Sequence, residues 1–212
     1  MKKSGLFITV EGGEGVGKST NIACIEEFLR TNNIDYILTR EPGGTLIAEK
    51  IRSLLLELQQ ENFDSTCELL LMFAARAQHL NELIKPALAE GKWVLCDRFT
   101  DATYAYQGAG RKLDSELIAS LEKLVQGELR PDFTIILDLD PELGLERARA
   151  RGELDRFEVE QMEFFNRVRQ CYLEIAQNEP GRCAVIDASA ELAEVKASLL
   201  QTLVTRLSPY IT

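Results

Sequence analysis

The 212-residue sequence holds one histidine, His79, and five scattered cysteines (Cys24, Cys67, Cys96, Cys171 and Cys183) with no C-x-x-C pair. An odd cysteine count argues against a disulfide framework, and the lack of clustered thiols and imidazoles argues against a zinc site. A reducing cytoplasm is the expected setting. No apolar run approaches the roughly 20 residues that span a bilayer, so no membrane segment is expected. Positive charge is in deficit: 24 Lys and Arg stand against 34 Asp and Glu, a formal net charge of -10. That balance argues against general affinity for nucleic acid or anionic lipid, which is carried by spread positive charge. An anionic ligand would need a local cluster of lysines and arginines. Internal repeats, low-complexity tracts and Pro/Ser-rich linkers are also missing, so one domain is expected over residues 1–212.

What is present alternates. The opening MKKSGLFITV has two lysines and a short apolar run that Glu11 and the glycines end, which reads as a first strand rather than a signal peptide. Four more short apolar runs follow, at Tyr36–Thr39, Trp93–Cys96, Phe133–Leu139 and Ala184–Ile186. Helical periodicity fills the intervals at Ser19–Arg30, Leu46–Gln59, Thr66–Glu90, Asp114–Gln126, Pro141–Arg151, Glu158–Gln177 and Leu192–Leu207. This alternation predicts an α/β fold with a parallel sheet covered on both faces and ligands at the carboxyl ends of the strands.

The first such end reads Gly12-Gly13-Glu14-Gly15-Val16-Gly17-Lys18-Ser19-Thr20, which satisfies G-x-x-x-x-G-K-[ST] between a strand and a helix. Glycines let successive backbone N–H groups turn toward phosphate oxygens, the helix adds its positive end, and Lys18 adds a mobile cation. Ser19 is placed to ligate Mg²⁺. ATP and Mg²⁺ are the cofactors expected. Glu14 is the odd residue, since a carboxylate aimed at a triphosphate would weaken binding; it is expected to face away from it. Neither N-K-x-D nor D-x-x-G occurs, which argues against a GTPase. Arg147, Arg149, Arg151 and Arg156 fall within ten residues around Gly152. Glu146, Glu153 and Asp155 could solvate them as local partners, but beside a phosphate-binding loop the cluster reads as facing an anion.

The second strand ends in T-R-E-P-G-G (Thr39–Gly44), the third in D-R-F (Asp97–Phe99), and A-Y-Q-G follows at Ala105–Gly108. With the arginine cluster Arg147–Arg156, these motifs resemble the bacterial thymidylate kinase family, in order and spacing, from Phe7 to about Ile186. Phe99 departs from the tyrosine or histidine usual there. The resemblance implies a three-layer P-loop kinase fold, a five-stranded parallel sheet flanked by helices, with a short arginine-rich lid at about 147–157. It implies phosphoryl transfer from ATP to dTMP, and typically a homodimer, for which the long helix Thr66–Glu90 is a candidate interface.

Residue by residue, it implies that Arg98 grips the dTMP phosphate while Glu41, Pro42, Arg52 and Leu56 line the same pocket. Arg76 would reach a thymine carbonyl, Thr103 and Gln107 the base edge, and Tyr106 would crowd C2′ of the sugar. Asp97 would share Mg²⁺ with Ser19. Arg149, Arg151 and Arg156 would close over the transferred group, and Glu14 would meet the acceptor's 3′-hydroxyl or a metal-bound water. The aromatic that stacks on thymine is replaced by Met72, with Phe73 beside it, and either residue could fill that role. A deoxynucleoside kinase would need a carboxylate base at its acceptor hydroxyl, and a non-catalytic nucleotide switch would have no use for a cationic lid.

Overall fold

A computed structural model describes residues 5–58, 61, 63–152 and 155–211. Five strands, β1 (Phe7–Gly12), β2 (Tyr36–Arg40), β3 (Trp93–Asp97), β4 (Phe133–Asp138) and β5 (Cys183–Asp187), form one parallel sheet in the order β2-β3-β1-β4-β5. Phe7 pairs with Val94 on one side and Ile8 with Phe133 on the other, so β1 lies between neighbours reached by crossovers in opposite directions. Chain topology therefore opens a crevice at the carboxyl end of β1.

Period-two alternation sends strand residues to opposite faces. Ile8, Val10, Leu95, Ile135 and Leu137 face one layer, where Ile25 and Leu29 of α1 (Lys18–Thr31) meet Leu199 and Leu203 of the carboxyl-terminal helix Leu192–Leu207. Phe7, Val94 and Cys96 face the other, against Leu80, Ile84 and Phe99. With both faces covered, the strands read as nearly continuous apolar runs.

The helices follow their predicted positions with informative departures. α2 is Leu46–Leu56, capped by the Thr45 hydroxyl accepting from Ala48 N–H, and stops before the predicted Gln59, which lies outside the described residues. The predicted helix Thr66–Glu90 is three pieces: α3 (Ser65–His79), a π-helical turn at Leu80–Ile84, and α4 (Lys85–Ala89). Pro86 has no N–H and its ring crowds the preceding turn; the widened turn, with Lys85 N–H donating to Leu80 C=O, accommodates it without ending the helix. After β3 come a short helix α5 (Thr100–Thr103) and a second π-helical segment, Tyr104–Gly110, neither signalled by periodicity. α6 (Ser115–Gln126) and α7 (Pro141–Arg151) begin at aspartate caps, Asp114 and Asp140. α8 is Met162–Asn178, starting later than the predicted Glu158, and α9 is Leu192–Leu207. The preceding residues form a turn in which Asp155 accepts from the Phe157 and Glu158 N–H groups. Among the described residues, no helix is long and apolar enough to cross a membrane.

Candidate active site

At the end of β1 the chain turns through Glu14 and Gly15 before α1 begins at Lys18. Gly15 has φ +66°, and a Cβ there would come within 1.9 Å of the Gly144 carbonyl oxygen, so glycine is required twice over. Lys18 Nζ folds back to donate to the Gly13 carbonyl at 3.2 Å. Burial, then the nearby Arg98 charge, lower the pKa of Lys18, while Glu14, Asp97 and Glu11 oppose them. Val16 turns inward as a core residue.

Arg98, just past β3, has φ +67°. Its Nη1 donates to the Gly12 carbonyl at 2.6 Å and to the Tyr172 hydroxyl at 3.3 Å. Its Nη2 donates to Glu14 Oε1 at 2.8 Å, and the guanidinium lies 4.8 Å from the Tyr106 ring centre. The Tyr106 hydroxyl donates to that same Glu14 oxygen at 2.6 Å. Glu14 thus turns toward Arg98 and Tyr106, and burial raises the pKa of the Tyr106 phenol. Beneath them Glu11, fully buried in β1, accepts from Phe99 N–H at 2.7 Å and from Tyr172 OH at 2.8 Å. Burial, then the Asp101 carboxylate, push its pKa up to about 7.

One cleft of about 520 Å³ runs from Glu14, Lys18, Ser19 and Thr20 past Arg98 to Arg76 and Gln107. Asp97 lines its middle and has a buried Oδ1 with no hydrogen-bond partner. An unpaired carboxylate oxygen in the same cleft as Ser19 suits a hard cation such as Mg²⁺, which takes oxygen ligands and keeps several waters. Among the described residues no cluster of three or more His, Cys, Asp or Glu side chains that could hold a metal ion occurs.

At the far end, Arg76 Nε donates to Glu41 Oε2 at 2.7 Å. Its Nη2 donates to the Phe99 carbonyl at 3.1 Å and the Thr103 hydroxyl at 2.9 Å, while Nη1 is buried without a partner. Gln107 Nε2 donates to Glu68 at 2.7 Å, and Arg52 Nη1 donates to the Pro42 carbonyl at 2.9 Å. Glu41, Pro42, Arg52, Leu56, Thr103, Tyr106 and Gln107 all line the cleft. So does Met72. Phe73 does not: it is buried with Leu69 and Ile118, under the Arg76 guanidinium.

The arginine cluster departs most from expectation. Arg149 is exposed on α7 and does not line the cleft. Arg156 does not line it either: it is buried, with Nη1 2.7 Å from Glu68 and Nε donating to the Leu55 carbonyl at 2.8 Å, between the Phe63 and Phe157 rings. Glu68 is fully buried, and a buried carboxylate left without a cationic partner would be strongly destabilising, so Arg156 is held there as its counter-charge. Arg147 instead lines the cleft, donating to the Ala188 carbonyl at 3.2 Å. Glu153, Leu154 and the Arg151 side chain lie outside the described residues. Asp155, Phe157 and Glu158 line the cleft unforeseen, and Glu11, Glu68, His79 and Tyr172 support it from behind. Only Glu11 left a sequence signal, as a charge at the end of an apolar strand.

The thymidylate kinase family model matches residues 10–199. A thymidylate kinase of Teredinibacter turnerae is 61% identical over 200 residues, covering 94% of this chain and 98% of that protein. One from Pseudomonas syringae pv. tomato is 59% identical, covering 92% and 93%. A crystal structure of thymidylate kinase from Ehrlichia chaffeensis superposes with a TM-score of 0.76 at 38% identity, covering 94% of this chain and 99% of that one. A phosphate-binding loop, an arginine at the next strand end and matches of this extent agree: the chain belongs to the thymidylate kinase family of nucleotide phosphotransferases.

Proposed function

We propose that the chain transfers the γ-phosphoryl group of ATP to dTMP, giving ADP and dTDP for dTTP synthesis. The observation that carries this reading is the single cleft joining the Lys18–Ser19 loop to the buried, unpaired Nη1 of Arg76, with Arg98 between them.

Phosphoryl transfer between two polyanions depends on holding them in line and neutralising charge as the bond shifts. The loop amides and Lys18 bind the donor phosphates, and Arg98, anchored on Gly12 and Glu14, stands where it can touch donor and acceptor together. Ser19 and Asp97 would hold Mg²⁺, which supplies neutralisation of phosphate charge when bound. Arg76 donates to a thymine carbonyl, Thr103 and Gln107 meet the base edge, and Met72 packs on its face through a polarizable sulfur. Tyr106 crowds C2′. An ionised phosphate acceptor needs no general base.

The chain acts as one catalytic unit in the cytoplasm and pairs as a homodimer. Exposed Leu70 on α3 and exposed Leu46 and Leu54 on the adjacent α2 support pairing through that surface, to be tested by light scattering of the purified protein.

A coupled ADP-release assay over a panel of nucleoside monophosphates tests the reaction, with thymidine included as an alternative acceptor. dTMP is expected to be the best acceptor. A preference for thymidine, or no turnover with any acceptor, would overturn the reading.

A further inference from the structure

We propose that His79 is a positioning residue for base recognition, holding Glu41 and through it the Arg76 guanidinium. This rests on the thymidylate reading above. The ring is fully buried, with Nδ1 3.0 Å from Glu41 Oε1 and Nε2 2.6 Å from Thr39 Oγ1. A carboxylate only accepts, so Nδ1 carries the proton between them. Gly44 closes the socket: a Cβ there would come within 2.4 Å of Nε2 and 2.5 Å of Thr39 Oγ1, and its φ of +83° already favours glycine. Gly44 N–H is in turn pinned by Glu49 Oε1 at 2.8 Å. Thr39, Glu41 and Gly44 are thus a hydroxyl, a carboxylate and a missing side chain shaped around one imidazole.

The far side of Glu41 shows what the socket is for. His79 and Arg76 lie three residues apart on α3 and share a face. Glu41 gives one oxygen to each. While His79 holds Oε1, that oxygen cannot swing to make a two-pronged pair with Nε and Nη2 of Arg76. Nη2 therefore stays on Phe99 and Thr103, the guanidinium plane is fixed, and Nη1 is left unpaired in a residue that lines the cleft. A guanidinium donates but never accepts, so it favours the thymine O4 carbonyl over the cytosine amino group. Discrimination between those bases depends on Arg76 standing still, and His79 supplies that restraint.

The test compares steady-state kinetics with dTMP and dCMP in the wild type, His79→Ala and the milder Thr39→Val. In His79→Ala we expect KM for dTMP to rise about tenfold, KM for ATP to stay within about twofold, and the dTMP over dCMP preference in kcat/KM to fall about tenfold. Thr39→Val should move the same quantities in the same direction by less. An unchanged base preference in a folded variant, or equal rises in both KM values, would overturn the proposal. If neither variant folds, the ring nitrogen resonances of the wild type decide, since the chain has a single histidine. They should move on adding dTMP and not on adding a non-hydrolysable ATP analogue; no movement with dTMP would overturn the proposal. A wild type that shows no preference for dTMP over dCMP would instead sink the thymidylate reading itself.

Discussion

Gly144 of α7 rests directly on Glu14 of the phosphate-binding loop: a Cβ at Gly144 would come within 2.3 Å of the Glu14 carbonyl oxygen. The helix that carries Arg147, Arg149 and Arg151 is therefore seated backbone to backbone on the loop proposed to grip ATP. By helix propensity alone, Gly144→Ala should stabilise by about 1 kcal/mol. The obstacle is main chain, however, and overpacking typically costs about 1–3 kcal/mol, so displacement of the loop should win. We expect a melting temperature lower by a few degrees and a several-fold rise in KM for ATP, with KM for dTMP less affected. A higher melting temperature with unchanged KM for ATP would show that the contact yields freely.

Lys18 is the second test. Its ammonium is held against the Gly13 carbonyl in a site that already penalises charge, so it is poised to meet phosphate rather than solvent. Lys18→Ala should lower kcat by at least about 10²-fold at saturating ATP and dTMP. The helix should persist, because alanine is a good helix former. Turnover within about tenfold of wild type would remove the role assigned to it.

How far these residues were legible differs by the range of the interaction. The phosphate loop is local: strand, glycines, lysine and helix follow one another, and the five strands are apolar runs bounded by polar residues. Met72 against Phe73 was not decidable from spacing. They lie four and three residues before Arg76 and both flank it on α3, and only packing separates them, with Met72 on the cleft and Phe73 in the core under the Arg76 guanidinium. The fate of Arg156 was not legible, because its partner Glu68 is brought to it only by folding. His79 was equally silent: a lone histidine on an amphipathic helix has no pattern until Thr39, Glu41 and Gly44 surround it. Pro86 was visible, but whether it ends a helix or is absorbed by a π turn depends on packing.

Tyr106 separates two functions in one side chain. Its ring lines the cleft, while its hydroxyl is spent on Glu14. Tyr106→Ala should reduce the preference for deoxyribose over ribose monophosphates by about tenfold. Tyr106→Phe should keep that preference and lose about 1 kcal/mol of stability with the hydrogen bond. Equal discrimination in the alanine variant and the wild type, measured with dTMP and its ribose counterpart, would show that C2′ is sensed elsewhere.

Glu11 gives the pH dependence a definite sign. Its pKa is raised from 4.5 to about 7 by burial and by Asp101, with Arg98, Tyr172 and the Phe99 N–H opposing. The folded protein therefore holds this proton to higher pH than the unfolded chain does. The stabilising contribution is fully present below about 4.5 and is lost as pH rises through about 7. Its full span is on the order of 3 kcal/mol, taken as an upper bound. Glu11→Gln carries no titrating proton there but keeps the shape, so the stability of wild type relative to Glu11→Gln should fall between pH 5 and pH 8. Urea unfolding of both proteins at the two pH values measures the difference, and a gap that does not change with pH would show that Glu11 does not titrate in this window.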